Sequence, residues 1–218
     1  MNPKAPLAPA QPKRRLHPLW KGLIALVVAG VVGVLFVRSA RDARSEPFSV
    51  SAQHLENWTL GSDTAADADG AVVSLRPPAE LPMNLFRQLF ARQMESLGAP
   101  SQPGIALALR RELPGDVTAE DVLLLARDAG LDRSSVAPRC VGYRRVSDRG
   151  IVRQLYFLWF DVTGFDAFRQ ALAARAGPDF NPRGLSPVML MAAQPDFLRW
   201  QPIVVDEGRD CVAPVSLN

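Results

Sequence analysis

The sequence predicts an α+β domain carried behind a single membrane-spanning helix. Three observations lead there. Gly22 to Val37 holds no charged or strongly polar side chain. Beyond residue 47, short apolar strand-like runs alternate with segments of helical periodicity. One of those runs, Leu155-Tyr-Phe-Leu-Trp-Phe160, is apolar on both faces, as a strand covered on both sides must be. The expected architecture is one mixed sheet with helices packed on it. The chain divides into a basic Pro- and Ala-rich tail (1–18), a transmembrane helix (19–40), a linker (41–47) and an exported domain (48–218).

The apolar run covers about 24 Å as a helix, against a bilayer core of about 30 Å. Lys21 and Arg38 supply the difference by extending their charges from aliphatic stems, and Trp20 sits where an interfacial aromatic belongs. A cleaved signal peptide is the rival reading. It lacks an A-x-A-like triplet, because both candidate triplets, 37–39 and 38–40, contain Arg38. Arg14-Arg15 is followed by Leu16-His17-Pro18, a poor twin-arginine pattern. Lys4, Lys13, Arg14, Arg15 and Lys21 outnumber Arg38, Arg41 and Arg44 after the run, which places the N-terminus in the cytoplasm and the domain outside it. Ala25, Ala29 and Gly33 form a small-xxx-small face suited to a second helix.

The net charge of +3 conceals an asymmetry. Residues 1–46 hold eight basic and two acidic side chains, whereas residues 47–218 hold 17 arginines, no lysine and 20 acids. The basic excess therefore belongs to the membrane-proximal segment and gives no ground for nucleic-acid binding. The Arg bias, with abundant Ala, Pro and Gly, suggests a bacterial source with a GC-rich genome. Cys140 and Cys211, in an oxidising compartment, are expected to form one disulfide closing about 70 residues, worth about 4 kcal/mol in the chain-entropy model.

Along the domain, Phe48–Val50 reads as a short strand. Residues 51–60 suit a helical turn or a strand at Trp58–Leu60, residues 61–70 a loop, and Ala71–Leu75 a strand. Pro82 opens a helix in which Met83, Phe86, Leu89, Phe90, Met94 and Leu97 recur at helical spacing, with Gly98 as its stop. On that spacing Phe86, Phe90 and Met94 are expected in the core. A strand at 104–109 and a Pro114-Gly115 turn come next. Thr118-Ala-Glu-Asp121 resembles a capping box, and Gly130 closes the helix that it starts. Residues 139–146 and 151–162 form a hairpin about Ser147-Asp-Arg-Gly150. A helix at 165–176, a strand at 187–192, a short turn at 195–200 and a last strand at 203–205 complete the expected order. No internal repeat is visible.

Chemical motifs are scarce. Asp63, Asp67, Asp69 and Gly70 fail the calcium-loop spacing, because Ala65 and Arg76 fall where an Asp and a Glu are needed. His54 is the single histidine beyond the apolar run, so no His-rich metal site is expected, and no G-x-S-x-G accompanies it. No nucleotide motif is present, and no cofactor is expected. Glu56, Glu80 and Asp161 are acids from which a carboxylate pair for hydrolysis would have to be drawn. The densest basic cluster is Arg139, Arg144, Arg145, Arg149 and Arg153, interleaved with Tyr143 and Tyr156. Arg144, Arg145, Arg149 and Arg153 are the candidate ligand-binding residues, for an anionic headgroup, acidic glycan or acidic protein surface. The expectation is a non-enzymatic protein of the bacterial inner membrane that binds another envelope protein. The alternatives are a module for an anionic envelope ligand and an envelope hydrolase with a carboxylate site.

Overall fold

Alternating side chains build strands β1 (Phe48–Val50), β2 (Thr59–Ser62), β3 (Ala71–Arg76), β4 (Ile105–Leu109), β5 (Val136–Asp148), β6 (Ile151–Val162), β7 (Val188–Ala193) and β8 (Cys211–Leu217). Helices α1 (Glu80–Arg92), α2 (Ala119–Asp128), α3 (Phe165–Ala176) and the single turn α4 (Glu207–Asp210) join them. The structure is a computed structural model and describes residues 20, 22–23, 26–35, 46–62, 70–93, 96–148, 150–198, 200 and 202–218. Two units separate at Asp42 and Ala43. In the first, residues 22–23 and 26–35 are helical and exposed. Among the described residues no helix is long and apolar enough to cross a membrane. The expected tail (1–18) and residues 41–45 of the expected linker lie outside the described residues.

The second unit is an α+β domain on one eight-stranded mixed sheet, ordered β1-β8-β5-β6-β7-β4-β3-β2. The β1–β8 pair is parallel and the other neighbours are antiparallel. A topological repeat, not visible in the sequence, organises it. Units β2-β3-α1-β4 and β5-β6-α3-β7 meet at the β4–β7 pair, and the strand order runs outward from that pair in the same way on each side. Burying strands on both faces suppresses the polar alternation that would mark such a repeat. β4, for example, is Ile-Ala-Leu-Ala-Leu, buried throughout.

β6 lies inside the sheet, as its apolar run predicts. Tyr156, Leu158 and Phe160 join the larger core with α1, α2 and α3. Leu155 and Phe157 join a second cluster on the opposite face with Phe197 and Ile203. That face is covered by an irregular strap, described at residues 195–198, 200 and 202–206. The expected strand at 203–205 is part of this strap: Ser186 N–H donates to Ile203 O at 2.7 Å, and Ser186 Oγ accepts from Val205 N–H at 3.0 Å. The last strand is β8, obscured in the sequence by Pro214, which lacks the N–H a strand interior uses.

α1 departs from its expected phase. Leu81, Leu85 and Leu89 are its buried residues, an i, i+4, i+8 row. Phe90, expected in the core, is 60% exposed and stacks on half-buried Phe86 at 6.1 Å. Met94 lies outside the described residues. The helix ends at Arg92 and not at Gly98, because Gly98 exchanges backbone hydrogen bonds with Ala193 of β7 at 2.8 and 3.1 Å. α2 begins on the expected cap: Thr118 Oγ1 accepts from Asp121 N–H at 3.1 Å, and the Asp121 carboxylate accepts from Thr118 N–H at 3.0 Å. The Thr118 hydroxyl and N–H hold that carboxyl below its ordinary pKa.

A buried ion pair locks the helical layer to the loops. Arg169 of α3 is fully buried, and its guanidinium meets Glu112 at 2.7 and 3.2 Å. Its other donors reach the carbonyls of Leu107, Asn181 and Pro182, and it stacks 4.4 Å from the Phe180 ring centroid. A buried charge needs this degree of satisfaction.

Candidate functional site

β5 and β6 pair from Val136–Val162 to Asp148–Ile151, so cross-strand partners share a face. β8 flanks β5 at Cys140, Val141 and Gly142, and β7 flanks β6 from Leu155 to Trp159. The rungs from Arg145–Gln154 to Asp148–Ile151 therefore extend past both neighbours as a two-stranded arm. At its end Ile151 and Val152 are 53% and 56% exposed.

Period-two alternation divides the basic cluster. Arg144 pairs with Leu155, and Val146 with Arg153, on the strap face. Arg145 pairs with Gln154, and Tyr143 with Tyr156, on the helix face. Arg149 lies outside the described residues. Gly142 stands opposite Phe157 on the strap face and leaves room for that ring, since a Cβ there would fall 2.3 Å from it.

On the strap face, Arg144 donates to Val204 O at 2.8 Å and to the buried Asp210 carboxylate. Asp210 also accepts from Asp206 N–H at 2.9 Å and Arg209 Nε at 3.0 Å. Burial by itself pushes this carboxyl up, but hydrogen bonds from Arg209, Asp206 N–H and Arg144, with the Arg144 charge, hold it at about 2. The Cys140–Cys211 disulfide lies alongside, as the sequence predicts, with Cα atoms 5.7 Å apart. Arg139 spans Asp161 and Glu207, at 3.2 Å each, over the Trp159 ring. This face serves cohesion.

On the helix face lies a groove of about 340 Å³ between the end of α1, β1 and the base of the arm. Phe48, Leu89, Val141 and Val212 form its apolar walls. Tyr143, Tyr156, Gln154, Arg145, Arg92 and Gln93 supply its polar lining. The tyrosine rings lie 4.9 Å apart, and the Tyr143 hydroxyl donates to Gln154 Oε1 at 2.9 Å. Arg92 spends its terminal nitrogens on Glu46 O and Pro47 O, at 2.6 and 2.9 Å, and packs over the Phe48 ring. Among the described residues Arg145 has no hydrogen-bond or ion-pair partner, and no carboxylate lines the groove. The chemistry available is recognition of an anion beside an apolar surface.

Of the other sequence candidates, Ala29 and Gly33 are helical and exposed, and Ala25 is outside the described residues. Asp63, Asp67 and Asp69 are outside them too. His54 sits in the 3₁₀ turn 52–55, its Nδ1 without a hydrogen-bond partner among the described residues. Among those residues no group of three His, Cys, Asp or Glu is placed to hold a metal. Glu56 follows that turn, Glu80 starts α1 and Asp161 pairs with Arg139. Sequence reasoning missed Phe48, Arg92, Gln93 and Gln154. Gln154 carried a signal, standing two residues before Tyr156 and hence on its face. Phe48, Arg92 and Gln93 carried none, because their approach depends on how α1 docks. Comparison with protein-family models, with curated proteins and with solved structures returned no match.

Proposed function

We propose that this chain is an anchored binding protein of a bacterial cell envelope. Residues 19–40 span the inner membrane with the N-terminus in the cytoplasm, and the domain from residue 48 onward engages another envelope protein outside it. The observation that carries the binding reading is the β5–β6 arm. Among the described residues its strands pair with no further strand beyond Leu155, and its end presents exposed Ile151 and Val152. Unpaired ribbon edges with apolar side chains suit a protein surface. The anchor is supported by exposed Leu26, Val27, Val28, Val31, Val32, Val34 and Leu35, an apolar surface around the described helix that suits lipid. The disulfide supports an oxidising compartment.

The test is photocrosslinking in intact cells from a benzophenone side chain at Ile151, with exposed Leu124 of α2 as control. A discrete adduct from Ile151 and none from Leu124 is the expected result. No adduct, or equal labelling from both, overturns the arm as the contact. Protease added to spheroplasts should remove the domain and spare the N-terminal tail; digestion of the tail would reverse the orientation.

A further inference from the structure

We infer that the groove at the base of the arm receives an acidic side chain of the partner, presented on an extended segment beside an apolar or aromatic residue. The inference rests on the proposed reading of the arm as a protein-binding element and specifies the chemistry of what it binds. Four observations carry it. Arg145 points its charge at this face without a partner among the described residues, while the neighbouring Arg144 is consumed by Asp210. Among the described residues no carboxylate lines the groove, so a carboxylate brought from outside meets no like charge from them. Gln154 accepts from Tyr143 through Oε1, leaving its Nε2 donors without a partner among the described residues. The walls are apolar, and about 340 Å³ open to solvent suits side chains of a crossing segment rather than an enclosed small molecule.

An arginine beside an amide donor matches a carboxylate, whose oxygens accept hydrogen bonds in one plane. The Tyr143 and Tyr156 rings and Phe48 then flank the adjacent apolar residue. The edge of β1 is not the docking element. Gln88 of α1 closes it, donating to Ser49 O at 2.7 Å and accepting from Ser49 N–H at 2.9 Å. The segment is therefore held by side-chain recognition in the groove.

The chain has two tyrosines, and both line this groove, so 3-fluorotyrosine gives ¹⁹F resonances that report on it directly. The full chain, labelled in this way and held in lipid nanodiscs, is titrated with the peptide acetyl-Gly-Leu-Asp-Phe-Gly-amide, with its Asn counterpart, and with phenylacetate. Saturable shifts of both resonances with the Asp peptide are expected, with binding about tenfold weaker for the Asn peptide. Arg145→Gln should weaken the Asp peptide by a similar factor while the ligand-free resonances stay in place, which shows that the variant is folded. Absence of a saturable shift, or equal response to Asp and Asn peptides, overturns the inference. Phenylacetate binding as tight as the peptide reassigns the groove to small carboxylates and overturns the peptide part. A negative titration beside a positive Ile151 crosslink would end this inference and leave the arm reading standing; loss of both would end both.

Discussion

The two faces of the β5–β6 hairpin use the same side-chain type in opposite ways. On the strap face Arg144 is saturated, bridging Val204 O and a buried carboxylate next to the disulfide. On the helix face Arg145, one residue later, faces a solvent-open groove beside two tyrosines. The lesson is that charge density along a sequence does not measure charge available for binding. A strand turns a run of arginines into two half-clusters, and whichever half meets buried acids becomes structure. Arg169 marks the structural extreme, with every direction of its guanidinium occupied.

Substitutions should separate the two classes, beginning with the deepest. Arg169→Met leaves Glu112 without its partner and should cost about 3–5 kcal/mol in chemical denaturation. A loss under about 1 kcal/mol would mean that the pair adds little to cohesion. Replacing Cys140 and Cys211 by Ser should cost about 2–4 kcal/mol by the same measurement, with β8 the first element to lose amide protection. If β8 stays protected while the whole domain weakens evenly, the bond acts through the unfolded chain alone.

Asp210 gives a pH signature for the strap face. Its folded carboxyl titrates at about 2, below the ordinary unfolded value of about 3.9, so its ionised form is favoured by folding. The contribution, about 2 kcal/mol, is fully present above pH about 4 and is lost as pH falls through about 2. Asp210→Asn should flatten that part of the stability–pH curve; an unchanged acid limb would remove Asp210 as its source. Thr118→Ala, which removes the α2 cap, should cost about 1 kcal/mol. The smallest effect belongs to the binding face: Arg145→Gln should change stability by no more than about 0.5 kcal/mol. A larger loss would place Arg145 with Arg144 as a structural residue and erase the contrast between the faces.

Much of the domain was legible because its signals are local. The hairpin's two arms, the Thr118–Asp121 cap and the helix at 165–176 depend on spacings of two to four residues, and each stands where the sequence predicts. Where the reading failed, a local signal was misleading. Phe90 was expected in the core of α1 with Phe86, but the docked helix buries Leu81, Leu85 and Leu89, keeps Phe86 half-buried against the core and leaves Phe90 exposed. Pro214 hid a strand, and the apolar 203–205 segment imitated one. The groove was half legible: alternation gives the Tyr143, Arg145, Gln154 and Tyr156 face, but not its opposite wall.

The α+β class, the covered central strand, the hairpin, two of the domain's three long helices and the cysteine pairing can all be read from the amino-acid chain before it folds. Periodicity, capping and cysteine count are properties of the chain that hold before any long-range contact forms. Tertiary structure alone decided that Arg144 finds Asp210, 66 residues away, and that Arg169 finds Glu112, 57 residues away. It also decided that Arg92 and Phe48 close a groove over Tyr143. Those outcomes follow from strand order and helix docking. A residue's partner across the fold is set by which surfaces pack, and no spacing along the chain encodes that choice.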